Sequence, residues 1–99
     1  DAVRYPAFDA ADYLDTPEMV AGFISDAFDT GDSEYIAGAL GIAARAKGMT
    51  KVAGDAGLSR EQLYRSLSDR GNPKLKTVIA TLKALGLQLH ATVSPTQPR

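Results

Sequence analysis

The sequence contains no cysteine, no tryptophan and a single histidine, His90. Without cysteine the chain cannot form a disulfide, a thiolate nucleophile or a cysteine-based zinc site. His90 has no second ligand type at metal spacing, which favours a surface or strand-packing role. There is no second histidine and no cysteine around which a catalytic set of nucleophile, base and orienting group could be built. These absences predict a protein that is not an enzyme and that uses no metal and no cofactor.

The sequence also lacks a signal-peptide pattern. It has no apolar run long enough to cross a membrane. Ninety-nine residues are enough for one domain, and 44% hydrophobic with 23% charged residues is a globular composition. We therefore expect one cytoplasmic domain with no membrane and no small-molecule substrate.

Charge is divided unevenly along the chain. Residues 1–34 contain nine acids and one base, whereas residues 35–83 contain nine bases and three acids. The basic half suits a polyanion, and the acidic half suits a basic partner. Chance unevenness in a small protein is the alternative for the acidic half.

Helix signals follow one another along the chain. Thr16 and Pro17 begin a first helix, Asp32 caps a second, and Gly48 ends it. Between 49 and 68 the pattern predicts two short helices, 50–56 and 60–68, with Gly57 in the turn and Ser59 and Gln62 forming a capping box. This is a helix-turn-helix pattern, whose second helix presents polar side chains outward.

The remaining segments complete the predicted architecture. Asn72 and Pro73 are expected to begin a final helix, with Leu75, Val78, Ile79, Leu82 and Leu85 on one face, and Gly86 to end it. Alternation at 88–93 predicts a short strand that needs a partner. Residues 1–15 are predicted as an extended arm, 16–93 as the helix-turn-helix domain and 94–99 as a disordered tail.

Four blocks of sequence, in order, resemble one protein family: FDAADYL, ARAKGM, GLSREQLYRSLS and the stretch from GNP to ALGL. They are similar to HigA-like addiction module antidote proteins, over about residues 6–91. The resemblance implies an all-α, five-helix, lambda-repressor-like (Cro/XRE-type) domain. It also implies an antitoxin that neutralises a basic RelE/HigB-type mRNA-cleaving toxin by direct binding and represses its own operon.

In Cro-like domains the start and outer face of the second helix contact bases. The corresponding residues here are Ser59, Arg60, Glu61, Tyr64 and Arg65. Arginine can pair with guanine and glutamate with cytosine, although Glu61 can equally serve as a helix-dipole acid and Tyr64 can rest on phosphate or on the domain. Predicted phosphate contacts are Thr50, Lys51, Arg70, Asn72, Lys74 and Lys76; a solvated face is the alternative for the lysines.

A homodimer is expected to read a two-fold operator in double-stranded DNA, joined by the final helix and the strand. The cognate toxin is expected to contact the acidic half. The predicted contact residues are Asp9, Asp12, Tyr13, Asp15, Glu18 and Asp26. A stand-alone phage-type transcription regulator without a toxin is the alternative; it leaves the acidic half unexplained.

Overall fold

Five helices make up the fold in the computed structural model, which describes residues 14–95. The helices are α1 Pro17–Asp29, α2 Ser33–Lys47, α3 Met49–Ala56, α4 Arg60–Ser66 and α5 Leu75–Ala84. The described residues contain no strand, so the predicted all-α class is confirmed. Most of the predicted arm, residues 1–13, and the end of the tail, residues 96–99, lie outside the described residues.

Side-chain caps fix the starts of α1 and α2. The Thr16 hydroxyl accepts from the Met19 N–H at 3.1 Å, with Pro17 as the first helical residue. Asp32 accepts from the N–H groups of Glu34 and Tyr35 at 3.0 and 3.2 Å. Each cap satisfies backbone donors that a helix cannot satisfy itself, and each was readable from the sequence.

The connection between α3 and α4 is a tight three-residue turn. Gly57 has φ +72°, a left-handed conformation that glycine adopts at little cost. The Leu58 N–H donates to Ala53 O at 2.9 Å and the Gly57 N–H donates to Gly54 O at 3.2 Å, the Schellman pattern of a helix end. The turn therefore places α4 directly after α3, as predicted.

The core lies where all five helices meet. Its most buried large side chains are Ile24, Leu40, Val52, Leu63 and Leu82. Phe23 and Phe28 of α1 are half-buried and pack against this cluster, which agrees with a core role. Each helix thus contributes an apolar stripe to one shared interior.

The C-terminal region differs from the prediction in two ways. Helix α5 begins at Leu75 rather than at Asn72–Pro73, with Lys74 as its N-cap residue. Residue 74 keeps extended backbone, and the segment 71–74 forms a loop before the helix. Leu75 and Ile79 are 67% and 40% exposed; of the predicted face, Leu82 and Leu85 are buried in the core and Val78 packs against it.

The predicted strand at 88–93 is wrong for this chain: the segment has no regular secondary structure and is exposed. A lone extended segment gains no ladder hydrogen bonds, and the described chain offers no neighbouring strand to supply them. Leu87 packs against the core, and its N–H donates to Leu82 O at 2.8 Å.

Candidate nucleic-acid interface

Helix α4 is a short, well-fixed helix with a polar outer face. Leu63 is fully buried and Leu67 nearly so, and these two residues anchor the helix to the core. The capping box is present: the Ser59 hydroxyl accepts from the Gln62 N–H at 3.0 Å, and the Gln62 amide oxygen accepts from the Ser59 N–H at 2.9 Å. A seven-residue helix is marginal by itself, so anchor and cap determine its position.

The four long side chains predicted to face outward all do so. Arg60, Glu61, Tyr64 and Arg65 are exposed. The Arg60 guanidinium carbon lies over the Tyr64 ring, 5.8 Å from its centroid, within the range of a cation–π contact. Glu61 lies in the first turn, where the positive end of the helix dipole also stabilises a carboxylate. The fifth predicted base contact, Ser59, has its hydroxyl engaged as the cap.

The amino end of α3 carries two of the predicted phosphate contacts. Gly48 precedes this helix and provides no side-chain cap, so its first N–H groups keep no side-chain partner among the described residues. Thr50 and Lys51 are exposed there. The Lys51 ammonium pairs with the Asp55 carboxylate at 3.3 Å, with the two side chains 58% and 46% exposed. An exposed i,i+4 pair is weak and leaves Lys51 able to contact another anion.

The remaining predicted phosphate contacts lie around the start of α5. Arg70, Asn72, Lys74 and Lys76 are all exposed, in the loop after α4 and the first turn of α5. A shallow hollow lined by Asp55, Leu75 and Lys76 joins this region to α3. The fold thus brings Lys51 and Lys76 to neighbouring positions around Asp55.

Only some of the acids predicted to bind a partner lie within the described residues. Asp15 and Glu18 are exposed at the start of α1, and Asp26 is exposed two turns further along it. Glu18 and Asp26 are eight residues apart and share one face of the helix. Asp9, Asp12 and Tyr13 lie outside the described residues. Residues 14–44 contain six acids and no lysine or arginine, so this segment carries negative charge only.

Three features were missed by sequence reasoning. Asp55 is the partner of Lys51, and the four-residue spacing was a usable signal. Gly41 and Gly71 allow close backbone approach to the end of α4, where a Cβ atom would overlap the carbonyl oxygens of Leu67 and Ser66 respectively. Residues of α2 and of the loop after α4 also enclose a groove, which no local pattern could reveal.

His90 is exposed, and its ring Nε2 lies 3.2 Å from the Gln88 side-chain nitrogen. Within residues 14–95, no three histidine, cysteine, aspartate or glutamate side chains are placed to hold a metal ion. None of the helices in the same range is long and apolar enough to span a bilayer.

The fold is a small all-helical domain in which α1 exposes acids and α4 exposes two arginines. The family model described as "Probable addiction module antidote protein" matches residues 4–93, and the chain belongs to this family. It is 41% identical, over 87 residues, to an uncharacterised protein of Haemophilus influenzae; the match covers 88% of this chain and 90% of that protein. No solved structure matches the chain.

Proposed function

We propose that this chain is the antitoxin of a type II toxin–antitoxin pair and the repressor of its own operon. Membership of an antidote family supports an antitoxin role with a cognate toxin partner. The observation that carries the DNA-binding half is helix α4, a capped and anchored helix with Arg60 and Arg65 exposed on its outer face. We propose no enzymatic activity and a cytoplasmic location.

The DNA-binding mechanism uses α3 and α4 as a Cro-type helix-turn-helix. Helix α4 enters the major groove, where Arg60 and Arg65 donate to guanine O6 and N7, and Glu61 accepts from cytosine N4. The ring of Tyr64 stacks under Arg60 and limits its rotamers, which lowers the entropy lost when the guanidinium meets a base.

Phosphate contacts flank the reading helix on two sides. Thr50 and Lys51 at the amino end of α3 offer a hydroxyl, an ammonium group and free backbone N–H groups to one phosphate. Arg70, Asn72, Lys74 and Lys76 offer donors on the other side. These contacts fix the register of the domain on the duplex, and their strength falls with salt.

The acidic face of α1 is proposed as the toxin-contact surface. A toxin that holds and cleaves mRNA must carry a basic surface, and residues 14–44 present acids without any base. Asp15, Glu18 and Asp26 are exposed on this face, and Asp9, Asp12 and Tyr13 precede it in sequence. Neutralisation follows if the antitoxin covers the RNA-binding cleft of the toxin.

The base-reading assignment is tested with arginine and lysine variants on operator and random DNA. Arg60→Ala or Arg65→Ala should cost about 1–3 kcal/mol on the operator and little on random DNA. Lys74→Ala should weaken binding to both and reduce the salt slope by about one. Unchanged operator affinity in both arginine variants would refute the assignment of α4 as the reading helix.

The antitoxin assignment is tested by co-purification with the product of the adjacent reading frame. The proposal predicts a small basic protein that forms a stable complex with this chain and whose mRNA cleavage stops in that complex. An operator-binding protein with no such neighbour would instead be a stand-alone regulator.

A further inference from the structure

A groove lies beside the contact of α2 with the carboxyl end of α4 and the loop that follows it. Its volume is about 490 Å³. Gly38 and Gly41 of α2 both line it, and their lack of side chains lets α2 approach Asp69 and the Leu67 carbonyl closely. Tyr35 and Tyr64 line it while remaining 55% and 44% exposed. Most of the remaining lining is apolar, including Phe23 and Ile42.

Charge around the groove is mainly acidic. Glu34 and Asp69 line it together with a single base, Arg45. Glu34 also ends the acidic run Asp26, Asp29, Asp32 and Glu34, within which no base occurs. The groove therefore opens next to the end of this acidic run, at the start of α2. Its chemistry, two aromatic rings beside carboxylates, suits an apolar side chain next to a lysine or arginine.

We propose that this groove receives a basic segment of the toxin, with an aliphatic or aromatic anchor inside and a neighbouring cation paired with Glu34 or Asp69. The inference rests on the proposed antitoxin function and locates the anchor of that interface. A buried anchor beside paired charges is the usual centre of a protein interface. A second copy of this chain is a poorer occupant, because a two-fold dimer pairs the same surface of both copies, and the exposed stripe of Leu75 and Ile79 lies on α5, away from the groove.

The test fills the groove without disturbing the core. A Cβ atom at Gly38 would lie 3.8 Å from the nearest atoms of Asp69, an ordinary contact, so a methyl group fits there. Gly38→Leu should weaken binding to the purified basic protein encoded beside this gene by about tenfold or more. Folding should be retained, because leucine is a better helix former than glycine. Gly38→Ala is the smaller alternative if leucine perturbs the helix.

Matched controls separate groove filling from a general effect. Gly54→Leu makes the same change in α3, where nothing lies within 4 Å of the added Cβ, and should leave toxin affinity unchanged. Glu34→Gln with Asp69→Asn keeps side-chain shape, removes both carboxylates, and should lower toxin affinity and its salt dependence. Operator affinity of Gly38→Leu should remain close to that of the unaltered protein.

Three outcomes would overturn the groove as the docking site, the toxin as its occupant, or the proposed function. Unchanged toxin affinity in folded Gly38→Leu and Gly38→Ala would overturn the groove as the docking site and leave the antitoxin function standing. Loss of self-association in Gly38→Leu would overturn it in favour of a second copy. Failure of the unaltered protein to bind the basic neighbour would instead refute the proposed function.

Discussion

Gly41 shows how one missing side chain positions the proposed reading helix. It lies in the middle of α2, and a Cβ atom there would overlap the carbonyl oxygen of Leu67, the C-cap residue of α4. Because the obstacle is backbone rather than a flexible side chain, α2 and α4 would have to separate. Gly41 is therefore a positioning residue for α4, and its role follows from packing alone.

The prediction for this residue is a loss of stability from one added methyl group. Gly41→Ala should lower the free energy of unfolding by about 1–3 kcal/mol through overpacking. Gly54→Ala is the matched control; it faces open space in α3 and should raise stability by roughly 0.5–1 kcal/mol. Urea denaturation followed by circular dichroism measures both. Equal stability changes would show that the close approach to Leu67 is not structurally important.

At the scale of elements, α5 has two different faces. Leu82 and Leu85 are buried in the core, whereas Leu75 and Ile79 form an exposed apolar stripe on the outside. Asp55 of α3 and Lys76 and Lys83 of α5 line the same hollow beside that stripe. An apolar patch bordered by both signs of charge can pair with its own copy about a two-fold axis. We propose that two copies pair through this face of α5.

The dimer prediction uses substitutions at exposed residues, which should change the folding stability of the monomer little. Leu75→Glu is expected to yield monomers in sedimentation and to weaken operator binding, because a monomer reads only one half-site. Val93→Glu places the same charge at a residue that is 84% exposed beyond α5, and should leave the dimer intact. A dimeric Leu75→Glu protein would exclude this face as the main contact between copies.

Local signals in the sequence predicted the helices well. The Thr16 and Asp32 caps, the capping box at Ser59 and the positive φ of Gly57 all depend on residues within four positions of one another. The strand at 88–93 was wrong because strand formation needs a pairing partner that the described chain does not supply. The groove beside Gly38 could not be predicted, because it arises only when α2 packs on the end of α4.

At the scale of the whole molecule, α1 carries acids and no base, whereas the bases of the described residues lie on α2 and in the segments that follow it. The exposed acids Asp15, Glu18 and Asp26 are at α1, and the exposed bases Arg60 and Arg65 are on α4. Macromolecules of opposite charge can therefore be attracted to different elements of one domain. This separation supports two functions in one small chain. Which residues read bases, contact phosphate or bind the toxin stays a prediction.

The corresponding prediction concerns charge reversal on the acidic side. Replacing Asp9, Asp12 and Asp15 with lysine should weaken toxin binding and make it less sensitive to salt, because fewer favourable charge pairs remain. Operator binding should persist. Asp55→Lys adds the same charge per residue in the basic half and should leave toxin affinity unaltered. Wild-type toxin affinity in the triple variant, measured by calorimetry at two salt concentrations, would exclude these acids as the neutralising surface.

The two tyrosines at the groove also give the protein a built-in optical probe. The chain has four tyrosines and no tryptophan, so tyrosine dominates its near-ultraviolet absorption and emission. Tyr35 and Tyr64 both line the groove, and the Tyr64 ring additionally lies beneath Arg60. DNA that draws Arg60 toward a base should alter the signal of Tyr64 alone, whereas a partner in the groove should alter both. Tyr35→Phe and Tyr64→Phe would assign each change, and so report from inside the protein which of its two surfaces is occupied.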